Sequence, residues 1–288
     1  MKRLEIGKII SHLLLTLLPL FLGMQNCFSK PIPKNDSLLK LIRTTKNDSI
    51  RAICICSFAK NIYKAYPDSA LKICREGLKI AEDKKLLNPQ AALNSMIGVI
   101  YKNKAIYDTA ISYQLKALKI KEHVKDSSGI ANTYLNLATI YDLTVNFQKA
   151  IDSDHKAIAI ANAIKNDEML SSCYNNMAPI YTELNDNKKA LECFLLSYQL
   201  KEKLGDKGGI AQVSHNMANV YAKLGEFDKA FESEKKANDY YTQIGLESGI
   251  IYTTMGFGNI LKIQNRFKEA IPYYEKAFIY FEKKGSID

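Results

Sequence analysis

The sequence predicts an all-α protein, a solenoid of about six stacked helix-turn-helix units, and three observations carry that reading. The 288 residues are 47% hydrophobic and 24% charged, enough apolar material for a folded array. There are only seven prolines and no tryptophan, and long lysine- and alanine-rich stretches show none of the alternation of strands. The chain also repeats itself with a fixed period of 40 residues, which constrains the architecture more than any local propensity does.

The first 29 residues, "MKRLEIGKIISHLLLTLLPLFLGMQNCFS", run from a basic start through an apolar stretch, Ile9 to Met24, to small residues at Cys27 and Ser29. That is the order of a secretory signal peptide cut after Ser29, so export to the periplasm or cell envelope of a bacterium is expected. The apolar stretch is interrupted by His12 and Pro19 and is shorter than the roughly 20 residues of a membrane span. A retained N-terminal anchor is the alternative, and the only membrane attachment the sequence offers. Asn26 before Cys27 argues against lipoprotein processing. Residues 30–50 read as a linker and a capping helix that starts near Asp36 or Ser37, and residues 51–288 read as the array.

Within the array, "IANTYLNLATIYDLTVNFQKAIDSDHKAIAI" (130–160) and "IAQVSHNMANVYAKLGEFDKAFESEKKANDY" (210–240) align column by column. A small residue recurs as Gly98, Ala138, Ala178, Ala218 and Gly258. Three places on come Tyr101, Tyr141, Tyr181, Tyr221 and Leu261, and twelve places on come Ala110, Ala150, Ala190, Ala230 and Ala270. A divergent first copy fits Phe58, Ala59, Ile62, Ala70, Cys74 and Gly77 with a loop one residue shorter. The small residue and the later alanine mark the closest approach of two antiparallel helices, because a larger side chain at either would push them apart. Met177, Ala178 and Tyr181 on one segment, and Ala190 and Phe194 on the next, have the spacing of amphipathic helices. Polar turns such as "LNDN" (184–187) and "LGEF" (224–227) separate them. One hairpin cannot bury its apolar face alone, so the copies stack.

These columns resemble the tetratricopeptide repeat. Its pattern of a small residue, an aromatic, an alanine, a second aromatic and a second alanine appears as Gly258, Leu261, Ala270, Tyr274 and Ala277, with leucine in the place of the first aromatic. Ala178, Tyr181, Ala190 and Phe194 meet it too, with Ser197 last. The resemblance covers roughly residues 51–284 and implies a right-handed α-solenoid. It departs from the family in its period of 40 rather than 34 and in lacking the proline that closes the second helix. The longer period implies longer helices, as in the 40-residue subclass. Together with the leader, it makes the chain similar to the extracytoplasmic arrays of bacterial signalling proteins.

No catalytic, nucleotide-binding or metal motif is present. His123, His155 and His215 fall in three different copies, without matching pairs of carboxylates, so neither a catalytic cluster nor a metal or cofactor is expected. Outside the leader, five cysteines, Cys54, Cys56, Cys74, Cys173 and Cys193, form no framework. Free thiols are expected, with a Cys173–Cys193 bond as the alternative. The net charge of +10 and the pI near 9.1 come mostly from lysines dispersed among acids, which reads as a solvated face rather than a nucleic-acid site.

The resemblance implies a ligand groove lined by the first helix of each copy, at its second, fifth, sixth and ninth positions. Carried over, these include Asn132 and Asn136; Asn175 and Asn176, with Pro179; Gln212, His215, Asn216 and Asn219; and Tyr252 and Asn259. Asn136, Asn176 and Asn216 share one column. Amides donate and accept, so such a row can hold the backbone of an extended peptide; the competing reading is that they bond neighbouring helices. No lysine or arginine stands at the second, fifth and sixth columns, which disfavours a clamp for a terminal carboxylate. The expected partner is therefore a protein or peptide, with self-association through an uncapped C-terminal face as a further expectation. The function expected is a non-enzymatic binding scaffold. The alternative is the sensory portion of a signal-transduction regulator whose kinase or DNA-binding output is not in this sequence.

Overall fold

The computed structural model describes residues 33–284; the expected leader, most of the linker and the last four residues lie outside the described residues. The described chain is helical throughout: α1 (Pro33–Thr44), α2 (Asp48–Ile62), α3 (Pro67–Asp83), α4 (Leu87–Asn103), α5 (Tyr107–His123), α6 (Ser127–Leu143), α7 (Phe147–Ala163), α8 (Asp167–Glu183), α9 (Asn187–Lys203), α10 (Lys207–Lys223), α11 (Phe227–Gln243), α12 (Glu247–Ile263) and α13 (Phe267–Lys283). After α1, five pairs pack as hairpins, α2 with α3, α4 with α5, α8 with α9, α10 with α11 and α12 with α13, while α6 and α7 belong to different units. α1 packs on α2 and buries Ile42, with Asp36 inside its first turn rather than at its start. The helices fall into two compact units that divide between Thr144 and Val145.

The backbone keeps a shorter beat than the sequence. From α3 onward every helix is 17 residues long, and a new one starts every 20 residues, so the turns within and between hairpins are built alike. Each joint has one residue in the left-handed region, from Lys85 (φ 54°) to Asn265 (φ 60°). At the joint after α8, the Asn185 amide donates to Thr182 O and the Asp186 amide to Tyr181 O. The Asp186 carboxylate then accepts from the Lys189 amide and caps α9. One residue thus closes a helix and the next opens another. Three joints use glycine, whereas Val145 holds φ 59° with a β-branched side chain. The α2–α3 joint was expected to have a loop one residue shorter, but it spans residues 63–66, one more than later joints, has no left-handed residue and enters α3 through Pro67.

Within each unit the small-residue columns are the contact lines of the hairpins. Ala138, Ala178, Ala218, Ala110, Ala150, Ala190, Ala230 and Ala270 are all buried. A Cβ on Gly98 would stand 3.1 Å from the Ala110 carbonyl oxygen, which places the closest approach where the sequence put it. The tyrosine column is half-buried, and lysines of the second helix lie over its rings, Lys189 on Tyr181 and Lys229 on Tyr221.

Between hairpins, size is matched in a second pair of columns. Lys201 packs under Gly209, and a Cβ on Gly249 would stand 2.5 Å from the Tyr241 ring. In the one register of the second unit where the lower residue shrinks to Ala161, the upper one grows to Met169, and both are buried. Within each unit, first helices also pack on first helices, α2 on α4, α4 on α6 and α10 on α12. Among the described residues no pair of second helices does so to that extent. The first-helix side is therefore the closed, inner side of each unit.

Candidate functional site

Every first-helix position expected to line the groove stands on α6, α8, α10 or α12, and the structure gives these side chains different occupations. Asn132, on α6, is exposed and donates to Ser128 O of its own helix at 3.0 Å. Asn259, on α12, accepts from the Tyr274 hydroxyl at 2.7 Å, and Tyr252 is exposed with the Phe281 ring against its edge. Gln212 is exposed on α10. The column of Asn136, Asn176 and Asn216 is half-buried, and among the described residues these three side chains have no hydrogen-bond partner. The amides that could have fixed the helix stacking do not do so. Asn136 belongs to the first unit; Asn176 and Asn216 belong to the second, where α10 packs directly on α12 and α8 reaches α10 through α9.

Asn175 lacks a donor to its side-chain oxygen and the regular helical donor to its carbonyl. Its side-chain oxygen is buried without a partner. Four residues on stands Pro179, inside α8, which has no N–H to give to the Asn175 carbonyl. Buried side-chain acceptors without donors are rare in folded proteins, and beside that oxygen the Asn175 carbonyl lacks its helical i+4 donor.

His215 is tied in place by a residue that the sequence columns did not single out. Its Nδ1 donates to the Glu234 carboxylate, 2.8 Å from Oε1 and 3.1 Å from Oε2. That tautomer leaves Nε2 to accept from Asn219 Nδ2 at 3.3 Å. Glu234 has no exposed surface, and its carboxylate lies where a Cβ on residue 256 would be, so Gly256 provides the space. Burial pushes the Glu234 carboxyl above its usual value, and the imidazole pulls it part of the way back. The available signal was a broken column: the second aromatic of the repeat, Phe194 and Tyr274, becomes Gln114, Asp154 and Glu234 in other copies.

The same column organises a polar cluster in the first unit. Gln114 Nε2 donates to Ser95 O and Ser95 Oγ donates to Gln114 Oε1, both at 3.0 Å; Lys121 Nζ donates to Thr133 Oγ1 at 2.8 Å and to Ser95 Oγ at 3.2 Å. Burial holds Lys121 below the usual lysine range. Polar groups at this depth must be paired, and here they pair with each other.

All five described cysteines are free thiols, so Cys173 and Cys193 are not bonded. Burial pushes Cys56 and Cys193 up to about 11 and Cys173 up to about 12, which leaves them as protonated, unreactive groups at neutral pH. Among the described residues no group of three His, Cys, Asp or Glu side chains is placed to hold a metal ion, and no helix is long and apolar enough to cross a membrane.

Known proteins identify the repeat. A family model described as tetratricopeptide repeat matches residues 169–243, and a second with the same description matches 91–123 and 255–278. No curated protein sequence matches the chain. Among solved structures it is similar to a signal transduction ATPase with numerous domains from Pyrococcus horikoshii that has a tetratricopeptide repeat sensor. The TM-score is 0.69 at 17% identity, over 99% of this chain and 42% of that one. It is also similar to aspartyl phosphate phosphatase F from Bacillus subtilis (TM-score 0.68, 19% identity, 98% and 74%). A third likeness is BtubC from P. vanneervenii (TM-score 0.61, 16% identity, 88% and 94%). At these identities the likeness concerns the fold, an all-helical repeat solenoid, and it agrees with the repeat columns and the family models: the chain is a tetratricopeptide repeat protein.

Proposed function

We propose that this protein is a non-enzymatic scaffold, exported to the cell envelope, that holds an extended polypeptide segment along the first-helix side of its hairpins. The observation that carries the reading is the set of amides left without partners, Asn176 and Asn216 in the second unit and Asn136 in the first, on the side where the helices pack closest. The two acceptors of Asn175 add sites for the N–H groups of such a segment. Main-chain recognition of this kind gives affinity without demanding a particular side chain. The test is capture from envelope extract by residues 30–288, beside a triple Asn136→Ala, Asn176→Ala, Asn216→Ala variant with unchanged melting. The proposal expects one captured protein that is lost in the variant; equal capture by both would place binding on another face.

A second reading is the sensory portion of a signal-transduction regulator. It is favoured by the tetratricopeptide repeat sensor in the Pyrococcus horikoshii protein, of which this chain spans 42%. A transcript whose reading frame runs past Asp288 into a kinase or DNA-binding domain would decide for it.

A further inference from the structure

We propose a second binding site, independent of the groove: a cleft between α11 and α13, floored by α12, that takes one aromatic side chain from a partner polypeptide. The cleft has a volume of about 320 Å³ and is lined by Asn238, Thr254, Phe257, Pro272, Tyr273 and Lys276. At 3.6 residues per turn, Phe257 lies roughly 140° round α12 from Tyr252, so the cleft opens away from the groove. Its size is at the low end of ligand pockets, roughly 300 Å³, about what a single ring needs.

The repeat itself shows what the cleft would take. The column through Asn238 reads Leu78, Leu118, Ile158, Tyr198, Asn238 and Phe278, so Asn238 is its one polar member. One copy earlier, between α9 and α11, Tyr198 is 9% exposed, and Lys236 Nζ lies 4.4 Å from its ring centroid. Lys276 stands in the column of Lys236, exposed. Asn238 is too short to replace the ring, and its side-chain oxygen is engaged by the Thr253 hydroxyl at 2.9 Å. The aromatic wall is in place all the same: Phe257 stacks on Phe231 at 6.1 Å and packs against Tyr273 at 5.9 Å. A tyrosyl or phenylalanyl ring would lie on apolar walls with the Lys276 ammonium over its outer face, as Lys236 lies over Tyr198. A polypeptide source fits because in the preceding copy the same space is filled by a side chain.

The experiment is a titration of the labelled protein, followed by amide resonances, with acetylated and amidated Gly-Tyr-Gly, Gly-Leu-Gly and free p-cresol. The tyrosyl peptide should shift Thr254, Phe257, Tyr273 and Lys276 at millimolar concentration, more strongly than the leucyl peptide. Asn238→Tyr should abolish the shifts by filling the cleft, with melting unchanged or raised. Lys276→Ala, an exposed change that leaves the fold alone, should weaken binding about two- to fivefold. The proposal is overturned by undisturbed resonances, by shifts that persist in Asn238→Tyr, or by p-cresol binding as tightly as the tyrosyl peptide, which would make the cleft a site for a free small molecule.

Discussion

His215 and Glu234, 19 residues apart, face each other across the α10–α11 hairpin with Nδ1 2.8 Å from Oε1, and the imidazole holds a carboxylate that has no contact with solvent. The contact fixes the orientation of a side chain on the candidate groove, and the titration of Glu234 is linked to folding. Burial raises the Glu234 carboxyl above its ordinary 4.5. The folded state therefore binds that proton more tightly than the unfolded chain. Its contribution to stability is fullest below 4.5 and declines as pH rises from there through the raised value. Glu234→Gln removes the titration. Urea midpoints between about pH 4 and 7 should show the wild type losing ground to the variant as pH rises; a difference independent of pH would refute the assignment.

The paired columns between hairpins predict a size exchange. Gly249→Met should destabilise the protein by about 2–3 kcal/mol, because the new side chain meets the Tyr241 ring. Combined with Tyr241→Ala it should recover most of that loss, reproducing Ala161 with Met169. Denaturation of the two single variants and the double variant measures the coupling. Additive losses would mean that the two columns do not answer each other.

Val145 holds a left-handed backbone that its branched side chain disfavours, and it is 70% exposed, so no packing is lost on shortening it. Val145→Gly should raise stability by about 1 kcal/mol, the relief of left-handed strain less the extra freedom of glycine in the unfolded chain. A lower urea midpoint for the glycine variant would contradict the strain.

Pro179 interrupts the hydrogen-bond ladder of α8 on the groove side. Pro179→Ala should stabilise the fold by about 1–3 kcal/mol, since it restores a donor to Asn175 O. Under the proposed function, the same change should weaken capture of the partner by occupying an acceptor offered to it. Calorimetry and the envelope pull-down read the two effects separately, and a more stable variant with undiminished capture would remove Asn175 O from the site.

The repeat was legible at the level of columns because close helix approach tolerates only Gly or Ala. Gly98 with Ala110 and Ala178 with Ala190 therefore announce each hairpin in the sequence alone. The 20-residue beat was not legible. Left-handed joints accept Lys, Ala, Val, Asn and Gly alike, and at Asn185 and Gly225 the closing hydrogen bonds are those of a Schellman motif. Similar reasoning separates the groove residues. The sequence placed ten of them on first helices, but nothing local distinguishes Asn132, whose amide is spent on its own helix, from Asn176, whose amide is free.

What the sequence by itself determined is the all-helical repeat, its copies, and which helix of each copy carries the amides, because volume and hydrophobic periodicity are written residue by residue. What only the tertiary structure decided is which polar groups remain for a partner. Glu234 could be recognised as the support of His215, and Asn238 as the gap in a filled column, only once neighbouring hairpins were packed. Hydrogen-bond satisfaction and cavity volume are properties of groups that the chain brings together from 15 to 40 residues apart.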